Sequence, residues 1–173
     1  MADVLNRTTK ELKRSVHTPD FPATDWVINP DLSAVDGVPA NYWKITGDVV
    51  SEMSQAEKDA VDADLLVAEK ASKIAGYSAT ANALFTSRYP PAVMGGFNAL
   101  FTEAVATAKT NRAAYISQLL NWGMTIDVGY QTKKAAITAM TTRAAVAADA
   151  WDTAALEAAD PEITLANALA IQN

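Results

Sequence analysis

The stretch Tyr42-Trp-Lys-Ile-Thr-Gly-Asp-Val-Val-Ser-Glu-Met53, followed directly by Ser54-Gln-Ala-Glu57, organises this chain. Two apolar, β-prone runs flank Thr46-Gly47-Asp48, and glycine at position 47 accommodates the positive φ that a short hairpin loop requires. Ser54 and Glu57 have the spacing of a capping box, which satisfies the first free amides of a helix. The stretch therefore predicts a β-hairpin over residues 42–53 that leads into a capped helix.

The residues that precede the hairpin are rich in proline but not in polar side chains. Four of the seven prolines, at positions 19, 22, 30 and 39, exclude a helix between Thr18 and Ala40. A disordered linker would rarely contain so many large apolar groups. These groups are Phe21, Trp26, Val27, Ile28, Leu32 and Val35. We therefore expect residues 1–41 to form an extended docking arm that lies on a surface, either its own or a partner's.

Four apolar side chains of the arm and the hairpin are candidate interface anchors. They are Phe21, Trp26, Ile28 and Trp43. Trp26 has no helix of its own to join, and buried tryptophans dominate the energetics of many interfaces, so it is the first candidate for contact with another subunit. An interior role for Trp26 stays open, and core packing is the favoured interpretation for Trp43.

Residues 54–173 are expected to form a helical body in which alanine, with 35 copies in the chain, is the commonest residue. Apolar spacing predicts a helix over 54–75 that ends at Gly76, a second from about Ala92, and others over 112–130 and 131–149. Asp160-Pro161 matches an N-cap followed by proline at the first helical position. The predicted fold is mainly α: an Ala-rich antiparallel helical bundle preceded by an extended N-terminal arm and a small β-hairpin.

Composition argues against several functional classes. The net charge is −6 and the sequence pI is about 4.7, which argues against nucleic-acid binding through neutralisation of phosphates. There is no cysteine, and no apolar run approaches the ~20 residues needed to span a bilayer. The first ten residues lack the apolar centre of a signal peptide. We expect a protein that is made in a cytoplasm and leaves it only within an assembly.

No residue pattern predicts a catalytic, cofactor or metal site. His17, the single histidine, has only Asp20 as a neighbouring carboxylate, so we expect it to be solvated. Asp59, Asp62 and Asp64 lack the spacing of a calcium loop and are expected on a solvated helix face. Gly95-Gly96 does not belong to a phosphate-binding motif, and close helix packing accounts for the pair. The sequence predicts a protein that is not an enzyme.

Several segments together resemble structural proteins of tailed bacteriophages. The N-terminal ones are Ser15-Val-His-Thr-Pro-Asp-Phe-Pro22, Trp26-Val-Ile-Asn-Pro-Asp-Leu-Ser-Ala-Val35, Tyr42-Trp-Lys-Ile-Thr-Gly-Asp48 and Glu52-Met-Ser-Gln-Ala-Glu-Lys58. Arg88-Tyr-Pro-Pro91, Asn111-Arg-Ala-Ala-Tyr-Ile116 and Asp160-Pro-Glu-Ile-Thr-Leu165 are similar to the helical body that accompanies this module. The resemblance implies a non-enzymatic virion component, a fibre, collar or head-decoration protein, whose N-terminal part docks on the particle.

Two other functions stay open at this point. A phage assembly factor, such as a tail assembly chaperone, would bind a partner and then leave, and an acidic, Ala-rich helical protein suits that role too. An enzyme with a site made of scattered carboxylates is the third hypothesis. For the virion component we expect other virion proteins as partners and a homo-oligomer. We expect neither nucleic acid nor a membrane as a partner.

Overall fold

A computed structural model describes residues 1–172, and contacts within the chain divide it into two units, Met1–Leu65 and Leu66–Asn173. The first unit contains five β-strands and the start of helix α1 (Gln55–Arg88). The second contains the remainder of α1 and five further helices. The predicted fold class is confirmed, because the chain is mainly α with a small β-hairpin ahead of the long helices.

Three antiparallel strands near the N-terminus form one sheet of the first unit. They are β1 (Ala2–Asn6), β2 (Leu12–Val16) and β3 (Trp26–Ile28), in the spatial order β2-β1-β3. The turn after β1 is built by Asn6, whose Oδ1 accepts hydrogen bonds from the amides of Thr8 (2.9 Å) and Thr9 (2.8 Å). The register pairs Leu5 with Leu12 and with Val27, which places these three side chains on one face of the sheet.

The hairpin consists of β4 (Trp43–Thr46) and β5 (Val49–Glu52), as the sequence predicted. Thr46 pairs with Val49, so Gly47 and Asp48 form a two-residue turn, and the φ of +60° at Gly47 fits a type II′ turn. The capping box is also confirmed. The Ser54 amide donates to Glu57 Oε2 (2.8 Å) and the Glu57 amide donates to Ser54 Oγ (3.4 Å).

The sheet and the hairpin share a small core that we call the inner cluster. Its buried members are Leu5, Val27, Val35 and Val50, and Leu12, Leu32, Val38, Trp43 and Ile45 pack against them. Arg7 adds a polar link, because its guanidinium donates to the Ala23 carbonyl (3.0 Å) and pairs with Asp48 of the hairpin turn (2.5 Å). Burial of each large aliphatic side chain contributes about 1.5–3 kcal/mol, so this cluster holds the two β elements together.

The structure therefore differs from the expectation of an extended arm over residues 1–41. The segment contains β1, β2 and β3, and its apolar side chains pack against the hairpin within one unit that reaches Leu65. The prolines do not prevent this arrangement, because Pro19 lies in a single 3₁₀ turn (Thr18–Asp20) and the other three lie between the elements.

The second unit is built from helices that pack on an aromatic core. After α1 come α2 (Pro91–Ala106), α3 (Thr110–Ala139), α4 (Arg143–Ala148), α5 (Ala154–Ala158) and α6 (Leu165–Ala170). Tyr89, Phe97 and Trp122 are buried at its centre, with Phe85 packed against them. The ring centroids of Phe85 and Trp122 are 5.8 Å apart, as are those of Tyr89 and Trp122. Such distances are typical of aromatic pairs.

Two glycines allow large side chains to come close to the helices of the second unit. A Cβ at Gly123 would lie 2.9 Å from Cε2 of Phe85, and one at Gly96 would lie 3.0 Å from Cδ1 of Leu165. Close packing therefore explains Gly96, as the sequence suggested. Gly95 faces open space, since a Cβ there would meet no atom within 4 Å.

Three predicted helix boundaries are wrong. Gly76 does not end the first helix, which continues to Arg88 and stops before Pro90-Pro91. The helices predicted over 112–130 and 131–149 form a continuous α3 as far as Ala139. The last helix begins at Leu165 with Thr164 as its N-cap. Asp160 Oδ1 accepts a hydrogen bond from the Glu162 amide (2.9 Å) as an N-cap would, but the φ of +53° at Glu162 is not helical.

Two sets of polar contacts, which we call the polar locks, attach the residues that follow α3 to the earlier part of the second unit. We call residues 140–172 the C-terminal segment. In the first, the Tyr77 hydroxyl donates to Asp149 Oδ2 (2.6 Å), and Lys133 Nζ lies 3.0 Å from Asp149 Oδ1. In the second, the Tyr89 hydroxyl donates to Asp160 Oδ1 (2.9 Å), and Arg88 Nε lies 2.9 Å from Asp160 Oδ2.

The locks shift the pKa values of both tyrosines and of Asp149. Burial, followed by the hydrogen bond to the neighbouring aspartate, raises the pKa of Tyr77 and that of Tyr89 to about 12. The Tyr77 hydroxyl, followed by the Lys133 ammonium, lowers the pKa of Asp149. Both locks therefore stabilise the neutral form of their tyrosine, and the first lock also stabilises the ionised form of Asp149.

Replacement of two glycines by alanine is expected to have opposite effects. Gly47→Ala should lower the stability of the first unit by about 1 kcal/mol, because alanine is strained at a φ of +60° although the site has room for a Cβ. Gly76→Ala should raise the stability of the exposed middle of α1 by about 0.5–1 kcal/mol. Amide hydrogen exchange in the hairpin and in α1 measures both changes. Changes of the same sign would contradict this account.

The C-terminal segment is expected to detach between pH 10 and 12. The pKa values of Tyr77 and Tyr89 are raised in the folded chain, so the stability that they add is complete below pH 10 and lost as the pH rises through 12. A titration of phenolate absorbance should show two late ionisations. Tyr77→Phe and Tyr89→Phe should each remove one, whereas the control Tyr130→Phe should leave both. Complete phenol ionisation well below pH 12 would contradict the locks.

Candidate functional site

The face of the three-stranded sheet that points away from the inner cluster is the candidate site, and we call it the outer face. Leu5 and Val27 point into the inner cluster, so their strand neighbours Val4, Trp26 and Ile28 point the other way. Val4 pairs directly with Ile28 and with Lys13. Val4 is fully buried, whereas Trp26 and Ile28 are partly exposed. The outer face thus has a small apolar centre with partly exposed large side chains around it.

An aromatic pair covers part of the outer face. The rings of Phe21 and Trp26 meet edge to face, with centroids 4.9 Å apart and an interplanar angle of 84°. Lys13 Nζ lies 5.6 Å from the Phe21 centroid and 5.3 Å from that of Trp26. A cation at these distances is attracted by the negative face of a ring, so the ammonium is held beside the aromatic pair. The outer face therefore offers two aromatic rings and a positive charge together.

The structure brings three of the four candidate anchors together and separates the fourth. Phe21, Trp26 and Ile28 belong to the outer face, although only Trp26 and Ile28 lie in a strand. Trp43 packs against the inner cluster, and its indole N–H donates to the Val38 carbonyl (2.8 Å). The favoured interpretation of Trp43 as a core residue agrees with this position.

Sequence reasoning did not identify Val4 and Lys13 as members of this surface. Val4 and Val16 are β-branched residues in a segment without proline, and Asn6 between them is a common turn former. That pattern was the available signal for a second hairpin. It was not sufficient to show that β3, ten residues beyond β2, pairs with β1.

Other titratable residues singled out in the sequence have ordinary surroundings. His17 is exposed, with Nδ1 3.5 Å from Asp20 Oδ2. Asp59 accepts a hydrogen bond from Gln55 Nε2 (2.7 Å) and Asp62 accepts one from the Tyr42 hydroxyl (2.7 Å). Lys44, followed by the Ser54 amide, lowers the pKa of Glu57 to about 2. Among residues 1–172, no group of three or more His, Cys, Asp and Glu side chains has an arrangement suited to a metal ion.

The second unit has an open groove of about 540 Å³ whose floor includes Trp122 and whose rim carries Arg88, Glu157 and Asp160. Its charged groups already have partners within the chain. Arg88 pairs with Asp160, and Glu157 Oε1 accepts a hydrogen bond from Thr153 Oγ1 (2.6 Å). The indole N–H of Trp122 donates to the Leu156 carbonyl (2.7 Å). These contacts explain the groove as part of the attachment of the C-terminal segment.

Comparison with known proteins found no family model, no curated protein and no solved structure that matches this chain. None of the helices in residues 1–172 combines the length and the hydrophobicity of a membrane-spanning segment.

Removal of the Lys13 charge is expected to weaken the first unit, because the ammonium lies over two rings. Lys13→Met keeps the aliphatic stem and should cost about 0.5–1 kcal/mol. The control is Arg14→Met, because the Arg14 side chain is 73% exposed and its Nη1 lies 3.5 Å from Asp3 Oδ2. This change should alter the stability by less than about 0.5 kcal/mol. Urea unfolding followed through the methyl resonances of Val27 measures both. Equal effects would show that the ring contacts of Lys13 contribute nothing.

Proposed function

We propose that this chain is a non-enzymatic structural protein of a tailed-bacteriophage particle, of the fibre, collar or head-decoration kind, and that it docks through the outer face of its first unit. The observation on which the proposal rests is the aromatic pair of Phe21 and Trp26 beside Ile28 and Lys13. Large aromatic groups held on a rigid element are the usual anchors of protein interfaces.

The fold supports a docking role for the first unit as a whole. The outer face is positioned by strand pairing on one side and by the inner cluster on the other, so its side chains are ordered before a partner arrives. Preorganised anchors lose less conformational entropy on binding than an extended arm would. The docking element proposed from the sequence thus changes from an extended arm to a folded β unit.

The phage context of the proposal comes from the sequence resemblance. The segments that resemble virion proteins include Ser15–Pro22 and Trp26–Val35, which supply Phe21, Trp26 and Ile28 of the outer face. The proposed location is the virion, with other virion proteins as partners and with several copies in each particle.

The composition of purified particles tests the proposal. Cells that express Phe21→Ser/Trp26→Ser should yield particles with at least tenfold less of the chain than the wild type, because truncation of an interface anchor costs about 2 kcal/mol or more. Val49→Ser is the matched control, since Val49 is 67% exposed in the same unit but lies on the hairpin. Quantitative mass spectrometry of particles gives the copy number, and circular dichroism confirms that each variant is folded.

Two outcomes would contradict the proposal. Normal incorporation of Phe21→Ser/Trp26→Ser would exclude docking through the outer face. Absence of the wild-type chain from mature particles would favour the alternative function, an assembly factor such as a tail assembly chaperone that binds and leaves. Deletion of residues 1–40 is a poorer test, because it removes Leu5, Val27 and Val35 from the inner cluster.

A further inference from the structure

The C-terminal segment lies lengthwise along two helices of the second unit. From its start to its end it contacts successively later residues of α1 and successively earlier residues of α3, so it runs parallel to α1 and antiparallel to α3. The contacts pair Arg143 with Glu69, Asp149 with Tyr77 and Lys133, Leu156 with Trp122, Asp160 with Arg88, and Leu169 with Arg112. The two helices thus form a groove that fits this one stretch of sequence.

A connection of three residues without glycine or proline joins α3 to α4, and we call it the hinge. It consists of Met140, Thr141 and Thr142, and both threonines are exposed. Met140 and Thr142 have an extended backbone, with ψ values of 142° and 145°. The apolar spacing that predicts one helix over 131–149 continues across the hinge, and alanines flank it on both sides. The local sequence therefore favours a helix where the fold has a break.

Two side chains stabilise the break by taking over backbone hydrogen bonds. In a continuous helix the Thr138 carbonyl would accept from the Thr142 amide, one turn further on. The Ala145 amide would likewise donate to the Thr141 carbonyl. In the structure Lys70 Nζ donates to the Thr138 carbonyl (2.9 Å), and the Ala145 amide donates to Thr142 Oγ1 (3.2 Å). The hinge thus has two conformations, broken and helical, that both satisfy these backbone groups.

We propose that two copies of this chain exchange residues 143–172, so that the segment of each copy lies along α1 and α3 of the other. The hinge is then helical, and α3 and α4 form one helix from Thr110 to Ala148 that directs the segment away from its own groove. Each groove receives the sequence that it already binds. Both copies exchange the same element, so the contact is isologous and closes as a dimer. The exchange concerns the second unit and goes beyond the docking role proposed for the first.

The monomer and the exchanged dimer differ mainly at the hinge. Both contain the same polar locks and the same packing of Ile163 and Leu165 on the aromatic core, so these contacts cancel in the equilibrium. The dimer gains helical hydrogen bonds at the hinge, whereas association costs translational and rotational freedom. The dimer fraction therefore depends on the protein concentration and on the helical preference of the hinge residues.

Changes in the hinge of the full chain test the exchange. Thr141→Ala/Thr142→Ala removes the hydroxyl that accepts from Ala145 and favours the helix, so the association constant in sedimentation experiments should rise about tenfold or more. Thr141→Pro should keep the chain monomeric, because proline cannot continue a helix and Met140 already has the extended backbone that precedes a proline. Circular dichroism confirms that each variant is folded.

Thr164→Ala is the matched control for the hinge variant. Thr164 Oγ1 accepts a hydrogen bond from the Asn167 amide (3.1 Å) and caps α6, which has six residues like α4. This cap lies inside the exchanged segment and is made in the monomer and in the dimer alike. The control should therefore leave the association constant unchanged.

The position of the segment in the dimer is measured by NMR. An isotope-labelled and an unlabelled sample of the wild type are unfolded in urea, mixed and refolded together at about 1 mM, where the dimer is favoured. The dimer should show a nuclear Overhauser effect between the Trp122 indole of one copy and Leu156 of the other. The contact of Trp122 with Phe85 should stay within one copy. The same experiment on Thr141→Ala/Thr142→Ala should give the same contacts with a larger dimer fraction.

Each contrary result would overturn the inference. A wild type that forms no dimer after refolding at this concentration would exclude the exchange. A dimer in which the contact of Trp122 with Leu156 stays within each copy would have a different interface. An equal rise in association for Thr164→Ala and for the hinge variant would show that the hinge does not control the equilibrium.

Discussion

Burial of Leu5, Val27, Val35 and Val50 in one cluster is the constraint on which the first unit depends. These residues come from β1, β3, a 3₁₀ turn and β5, so the cluster joins segments that are up to 45 positions apart. Without it, a two-stranded hairpin and a short sheet would each be marginal in water. The cluster also gives the sheet a buried side, and the aromatic outer face exists as a defined surface only because the other side is fixed.

The second unit has a core with few large side chains, because alanine is the commonest residue in the chain. Alanine buries little area, so the helices depend on a few large rings and on close approach at glycine. The residues after α3 contribute Ile163 and Leu165 to this packing. The polar locks add to these contacts, because Asp149 and Asp160 each accept a hydrogen bond from a tyrosine and pair with a cation. The attachment of this segment therefore combines apolar packing with hydrogen bonds and ion pairs.

Features that depend on neighbouring residues could be predicted from the sequence. The turn at Gly47 and the capping box of Ser54 and Glu57 are local, and both are confirmed. The sheet depends on pairing between distant residues, such as Leu5 with Val27, and no local pattern specifies that partner. Lys10 in the turn between β1 and β2 and Ser15 within β2 adopt positive φ values although neither is glycine, so no glycine marks these positions in the sequence.

The difference between local signals and contacts between distant residues also applies to the candidate site and to the helix ends. Phe21, Trp26 and Ile28 stood out as large apolar groups without a helix, but only the folded sheet brings Lys13 to their rings. Gly76 and Asp160-Pro161 have the composition of helix boundaries. At Gly76 the helix continues, and after Asp160-Pro161 the positive φ of Glu162 prevents a helix while Tyr89 donates a hydrogen bond to Asp160. Tertiary contacts thus overrode both local signals.

The contact between Gly123 and Phe85 limits how this protein can vary. The helices accept alanine at many positions, and Gly95 faces open space, so it tolerates most replacements that keep a helix. Gly123 differs, because any side chain there would displace a ring that stacks on Trp122. A survey of natural variants would then find position 95 free to drift and position 123 fixed. The rings at the centre of the second unit would be inherited together with this glycine as a single set.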